Sequence, residues 1–161
     1  MKKYFIILCL FFPLSLFGQT VSLLTVNQLD NRLSVGKDTV YLVNFWATWC
    51  APCIEELPHF EKLADTMNGK PVKVLLVSLD FKSKLETVVR PFVKKLQISN
   101  EVYLLNEKSQ QDYIDRIDKN WSGAIPATLV VNTKRRIRTL VEKELTYDEL
   151  LNLYKTNISD E

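Results

Sequence analysis

The chain predicts an α/β fold, a central mixed sheet with helices on both of its faces. Three observations carry that expectation. Two runs of β-branched, aromatic and aliphatic residues, 39–46 and 72–79, are almost continuously apolar, as strands buried on both sides must be. Segments with apolar residues at helical spacing stand before, between and after these runs. Two further strand-like segments, 127–132 and 136–142, form a terminal hairpin ahead of a last helix. Strands that alternate with helices bury their side chains only if helices cover both sheet faces.

Taken in order, 25–34 carries Val26, Leu29 and Leu33 at helical steps. Segment 39–46 is the first buried strand. From Cys50 the period changes, and Cys53, Leu57, Phe60, Ala64 and Met67 recur along a helix that Gly69 ends. Pro58 lies within it and is expected to kink it. Segment 72–79 is the second buried strand. Segment 82–96 is an amphipathic helix with Leu85, Val88, Val89, Phe92 and Leu96 inward, interrupted at Pro91. A short strand at 101–105 and a short polar helix at 109–119 follow. Strand 127–132 (ATLVVN) then pairs with the alternating 136–142 (RIRTLVE). The closing helix, 146–158, has Thr146 as its cap and turns Leu150, Leu151, Leu153 and Tyr154 inward.

The first residues differ from the rest. Lys2 and Lys3 precede an apolar run from Tyr4 to Phe17, broken only by Pro13 and Ser15 and closed by Gly18. A basic start, a short apolar middle and a small residue at the exit have the form of a secretory signal peptide. The run is shorter than the ~20 residues of a membrane-spanning helix. Residues 1–18 are therefore expected to be a signal, and 19–161 one domain, periplasmic or extracellular after cleavage. An uncleaved membrane anchor is the alternative. Without residues 1–18 the 21 basic residues fall to 19, equal to the 19 acidic ones. No net field then remains to draw in nucleic acid or an anionic membrane. The cluster Lys134, Arg135, Arg136 and Arg138 reads as a solvated hairpin edge rather than a polyanion site.

Of three cysteines, Cys9 belongs to the leading apolar run, so the expected domain keeps Cys50 and Cys53. Disulfides that staple an exported domain usually join residues far apart in sequence. A loop as small as this one contributes little chain entropy, so the pair is better explained by chemistry. It stands where a buried strand gives way to a helix, with Cys50 at the cap and Cys53 one turn on. Unpaired N–H groups and the positive end of the helix dipole favour thiolate there, drawing a cysteine down from about 8.5 toward neutrality. Pro52 fits the first turn, where its missing N–H has no helical partner. Cys50 is thus the expected nucleophile toward a partner disulfide and Cys53 the resolving thiol. A metal is not expected: zinc usually takes four ligands, and beyond the pair only His59 is at hand. No cofactor is implied.

The segment VNFWATWCAPC, residues 43–53, resembles the active-site stretch of thioredoxins. With Glu56, Leu57 and Pro58 it is similar to the exported TlpA/ResA-type branch, whose pattern is W-C-x-P-C-x-x-E-x-P. Ile125 and Pro126, directly before a strand, resemble that fold's cis-proline element, and proline is the residue able to hold such a bond. The resemblance implies a thioredoxin-like fold with a strand–helix insert before the cis-proline strand. It implies a thiol-disulfide oxidoreductase acting on protein cysteines, as a reductant. Its partners would be protein thiols and disulfides and an upstream thiol reductant, either soluble or membrane-bound, with the protein a monomer. Trp49, Ala51, Pro52, Ile125, Pro126 and Trp121 are the residues it implies for contact with the partner, with Trp49 packed over the disulfide and Trp121 lining the same groove.

Two departures from thioredoxin itself stand out. Its buried central-strand acid would fall at Asn44, which cannot take a proton from Cys53. Glu56, three residues past Cys53 and about 60° around the helix from it, is the replacement the branch implies. Burial and a neighbouring thiolate would raise its pKa, as suits a general acid–base. Glu55 has only the ordinary preference of a first-turn acid. The second departure is the added length between Leu79 and Ala127. Two other readings stay open. A thioredoxin-fold peroxidase would use a P-x-x-x-T-x-x-C setting, which is not found around Thr48, Trp49 and Cys50. A client-binding module without turnover would not need both cysteines.

Overall fold

The computed structural model describes residues 20–36 and 38–158. The expected signal segment, with Cys9, lies outside the described residues. The elements are β1 (Ser22–Leu24), α1 (Val26–Ser34), β2 (Val40–Trp46), α2 (Ala51–Thr66), β3 (Val72–Ser78), α3 (Arg90–Lys95), β4 (Glu101–Leu105), α4 (Ile114–Ile117), β5 (Ala127–Asn132), β6 (Ile137–Val141) and α5 (Tyr147–Asn157). They form one six-stranded mixed sheet in the order β1-β4-β3-β2-β5-β6. β1, β4, β3 and β2 run parallel, while β5 and β6 are antiparallel to their neighbours.

β2 explains the near-continuous apolar run, because all seven of its residues are buried. Val40, Leu42 and Trp46 point to one core with Leu57, Phe60 and Leu63 of α2, Val93 of α3 and Leu150 and Tyr154 of α5. Tyr41, Val43 and Phe45 point to the other, with Val26, Leu29 and Leu33 of α1 and Ile117 of α4. Strand side chains alternate faces, so a strand covered twice must be apolar twice. The polar exception is Asn44, on the α2 face.

The register gathers three chain segments at one end of the sheet. Trp46 pairs with Ser78, so the loops after β2 and β3 emerge together. Phe45 pairs with Ala127, which brings the start of β5 to the same end. Ligands of open α/β sheets gather at such strand ends.

Three local expectations differ from what is found. β1 was not anticipated: three residues are too short to show alternation, and Ser22–Leu24 is a strand because it pairs with Tyr103–Leu105 of β4. The helix expected over 82–96 is composite, with a tight 3-10 turn at Lys82–Lys84, a wide π turn at Leu85–Val89 and then α3. Pro91 accounts for the wide turn, since its ring crowds the carbonyl four residues back. Arg90 N–H accordingly reaches the Leu85 carbonyl, one residue farther than in an α-helix. The polar helix expected over 109–119 shrinks to Ile114–Ile117, the part with buried Ile117. By contrast, α2 passes through Pro58 without a break.

The basic hairpin turn is used internally. Lys134 pairs with Asp38 at 2.8 Å, and Arg138 with Asp30 at 3.4 Å. Arg135 donates to the carbonyls of Thr156 and Ile158 at the end of α5, where a cation also meets the negative end of the helix dipole.

Candidate active site

Cys50 is the N-cap of α2. Its backbone is extended (φ −94°, ψ 100°), its N–H donates to the Ala47 carbonyl at 3.1 Å, and its carbonyl accepts from Ile54 N–H. The first turn of α2 therefore brings Cys53 beneath Cys50, with 5.3 Å between the two Cα atoms, and the sulfurs are bonded as a disulfide. Cys53 N–H points at Cys50 Sγ at 3.3 Å, the contact a capping side chain makes. After reduction that same N–H is a donor to a Cys50 thiolate. Cys50 keeps 6% of its surface exposed and Cys53 none, so solvent and partners reach the pair through Cys50. Ala51 and Pro52 lie exposed on the first turn beside it.

The Ile125–Pro126 bond is cis, the geometry that the resemblance implied. The Ile125 carbonyl oxygen stands 3.8 Å from Cys50 Sγ, so the loop ahead of β5 forms one wall of the approach to the disulfide.

Glu56 is fully buried, whereas its neighbour Glu55 is exposed. One Glu56 carboxyl oxygen accepts from Asn44 Nδ2 at 2.6 Å, and the other from the Leu145 N–H at 2.9 Å. Asn44 Nδ2 also reaches Thr128 Oγ1 at 3.3 Å, while its Oδ1 has no partner among the described residues. Burial pushes the Glu56 carboxyl up to about 7, and repulsion from Glu144 adds to this. The Leu145 N–H and the Asn44 amide oppose the shift by stabilising the carboxylate. The outcome is an acid inside the α2 core that changes charge near neutral pH. Asn44 thus serves as a donor to this buried carboxyl.

The two tryptophans stand differently from one another. Trp49 leaves 69% of its surface in solvent and lines a cavity together with Phe81 and Ile125. Trp121, expected on the groove wall, is buried with 4% exposure. Its ring lies 4.9 Å from Phe45 and 5.8 Å from Tyr113, and its indole N–H donates to the Ala124 carbonyl at 2.9 Å. Trp121 is thus tied to the residue just before Ile125 and Pro126 instead of lining the cavity beside the disulfide. Trp46 belongs to the core and packs on Phe92.

Sequence reasoning missed Asp80. It is 5% exposed and receives Thr48 N–H at 2.9 Å, the Thr48 hydroxyl at 2.6 Å and the Ser78 hydroxyl at 2.8 Å. These bonds clamp the loop between β2 and Cys50 onto the end of β3. The available signal was the place of an acid immediately after a buried parallel strand, where strand ends gather.

Several comparisons bear on this geometry. The sequence matches the AhpC/TSA family over residues 18–140. It is similar to the thiol-disulfide oxidoreductase ResA of Oceanobacillus iheyensis, with 30% identity over 125 residues, 78% of this chain and 60% of that protein. It is also similar to sporulation thiol-disulfide oxidoreductase A of Bacillus subtilis, with 26% identity over 109 residues, 68% of this chain and 62% of that protein. The chain thus spans under two thirds of the length of these relatives. Among solved structures, a thioredoxin-related protein from Neisseria meningitidis serogroup B superposes with a TM-score of 0.65 at 25% identity, covering 75% of this chain and 86% of that one. The fold is thioredoxin-like, and the chain belongs to the AhpC/TSA family.

Proposed function

We propose that this protein is a thiol-disulfide oxidoreductase that exchanges disulfides with protein cysteines through Cys50 and Cys53, working as a reductant. The observation that carries the reading is the pair itself: Cys50 at the cap of α2, reachable and 3.8 Å from the Ile125 carbonyl, with Cys53 buried one turn on.

In the reduced protein the Cys50 thiolate attacks one sulfur of a client disulfide. The client S–S bond breaks, a mixed disulfide forms at Cys50, and the departing client thiolate takes a proton. Cys53, having given up its proton, then attacks Cys50 Sγ. The second client thiolate leaves and is protonated in turn. Two electrons pass to the client, one of its two protons comes from Cys53 and the other from solvent, and the protein is left with the Cys50–Cys53 disulfide. An upstream dithiol protein restores it by the same steps in reverse. Glu56, with its carboxyl near 7, is suited to take and return the Cys53 proton. Trp49, Ala51, Pro52, Ile125 and Pro126 surround the approach to Cys50 and would contact the client backbone. An exported location accords with the leading apolar segment, and no described helix is long and apolar enough to cross a membrane.

Reduction of insulin disulfides by dithiothreitol tests the reading. The protein should accelerate it, and Cys50→Ser should abolish the acceleration. Reduction no faster than with dithiothreitol alone, together with rapid turnover of hydrogen peroxide, would favour the peroxidase reading instead.

A further inference from the structure

A cavity of about 490 Å³ opens beside the disulfide. Its walls come from the loop before Cys50, from the turn after β3 and from the insert between β4 and β5. Trp49, Phe81, Tyr113 and Ile125 supply apolar surface, and Lys82 and Lys108 stand with them on the lining. Phe81 is 80% exposed, beside the exposed Trp49. Two large aromatic side chains left in water next to a reactive centre mark a surface built to be covered.

The charges of the cavity have a direction. Its two acids are engaged by the protein: Asp80 by Thr48 and Ser78, and Glu107 by the Val26 N–H at 2.7 Å and by Arg116 at 4.0 Å. Lys82 and Lys108 are exposed, and neither side chain has a hydrogen-bonding or ion-pair partner among the described residues. What the groove offers outward is aromatic and cationic. It is continuous with the exchange site through Ile125, whose carbonyl touches Cys50 Sγ.

We infer that this groove docks an extended segment of the client, next to the cysteine under attack, that carries a large apolar side chain together with an acidic one. The inference rests on the exchange reading and names the client chemistry that this site selects. The apolar side chain would lie against Trp49 and Phe81, and the carboxylate would meet Lys82 and Lys108. Rim charges of this kind set partner choice and association rate more than raw affinity.

The test uses pre-reduced protein freed of reductant and two disulfide-linked peptides. They are identical except that Phe and Asp flank the cysteine in one, and Ser and Lys in the other. The second-order exchange rate constant should favour the Phe–Asp peptide by about fivefold or more at low salt, the size expected for exposed ion pairs acting with apolar contact. Phe81→Ser should lower that ratio, and the double variant Lys82→Glu, Lys108→Glu should bring it to one or below. Equal rate constants for the two peptides with the unaltered protein would overturn the inference, whatever the variants do. Exchange with neither peptide and none with 2-hydroxyethyl disulfide would remove the exchange reading, and the inference with it.

Discussion

Replacing Glu56 with glutamine isolates the energetic consequence of a buried acid. The carboxyl has an ordinary value of 4.5 and is raised to about 7 in the folded protein. The folded state therefore holds its proton more tightly than the unfolded chain. Between these two values the native protein binds more protons, so stability falls as pH rises. The penalty is absent below about 4.5, grows through the interval and is complete above about 7. At about 1.36 kcal/mol per unit, this burial costs roughly 3 kcal/mol at pH 8. Glutamine carries no such cost. It keeps an oxygen for the Leu145 N–H, and its amide can face Asn44 if Asn44 turns its unpartnered Oδ1 toward it. That turn places the Asn44 amide nitrogen where the unpaired oxygen stood and brings Oδ1 to the Thr128 hydroxyl, which can donate to it in place of the lost Nδ2 bond, so the count of unpaired buried groups does not grow. Urea denaturation of the oxidised protein and of Glu56→Gln, from pH 5 to pH 8, gives the test. The difference in unfolding free energy should move by about 2–3 kcal/mol in favour of glutamine across that range. Parallel curves would refute the argument, because they would mean that Glu56 titrates at its ordinary value.

Other substitutions probe the supports of the site. Asn44→Ala removes the donor to Glu56, so the carboxyl should titrate higher still, as followed by infrared spectroscopy of the carboxyl band. Asp80→Ala strands two donors of the loop before Cys50 and the Ser78 hydroxyl at the end of β3; it should cost about 2–3 kcal/mol and slow exchange, measured by denaturation and insulin reduction on the same samples. Trp121→Phe keeps the ring on Phe45 but loses the bond to the Ala124 carbonyl; about 1 kcal/mol of stability should go, with slower exchange at unchanged small-molecule alkylation of Cys50.

The legible parts of this molecule were those whose burial shows in the residue types. β2 and β3 are apolar on both faces because both faces are covered, and that leaves a mark in any reading of the chain. The cysteine pair at a strand-to-helix junction pointed to the disulfide that the structure contains, and the contrast in burial between Glu55 and Glu56 followed from helical geometry. What stayed hidden depends on pairing across long separations. Ser22–Leu24 is a strand only through β4, some eighty residues away. The buried place of Trp121 depends on Phe45 and Tyr113, and the clamp of Asp80 on Thr48 depends on the register of β2 with β3. Local composition holds no trace of such partners. The unequal exposure of Trp49 and Trp121 had to be seen, because a tryptophan has the same composition on a groove wall as behind one.

The central claim is that Cys50 is the attacking thiol and Cys53 the resolving one. The most direct measurement is the fate of Cys53→Ser mixed with a protein disulfide and analysed by mass spectrometry without reductant. A resolving thiol is then missing, so a mixed disulfide should accumulate at Cys50, while Cys50→Ser should yield little. Accumulation at Cys53 in Cys50→Ser, with none at Cys50 in Cys53→Ser, would contradict the account.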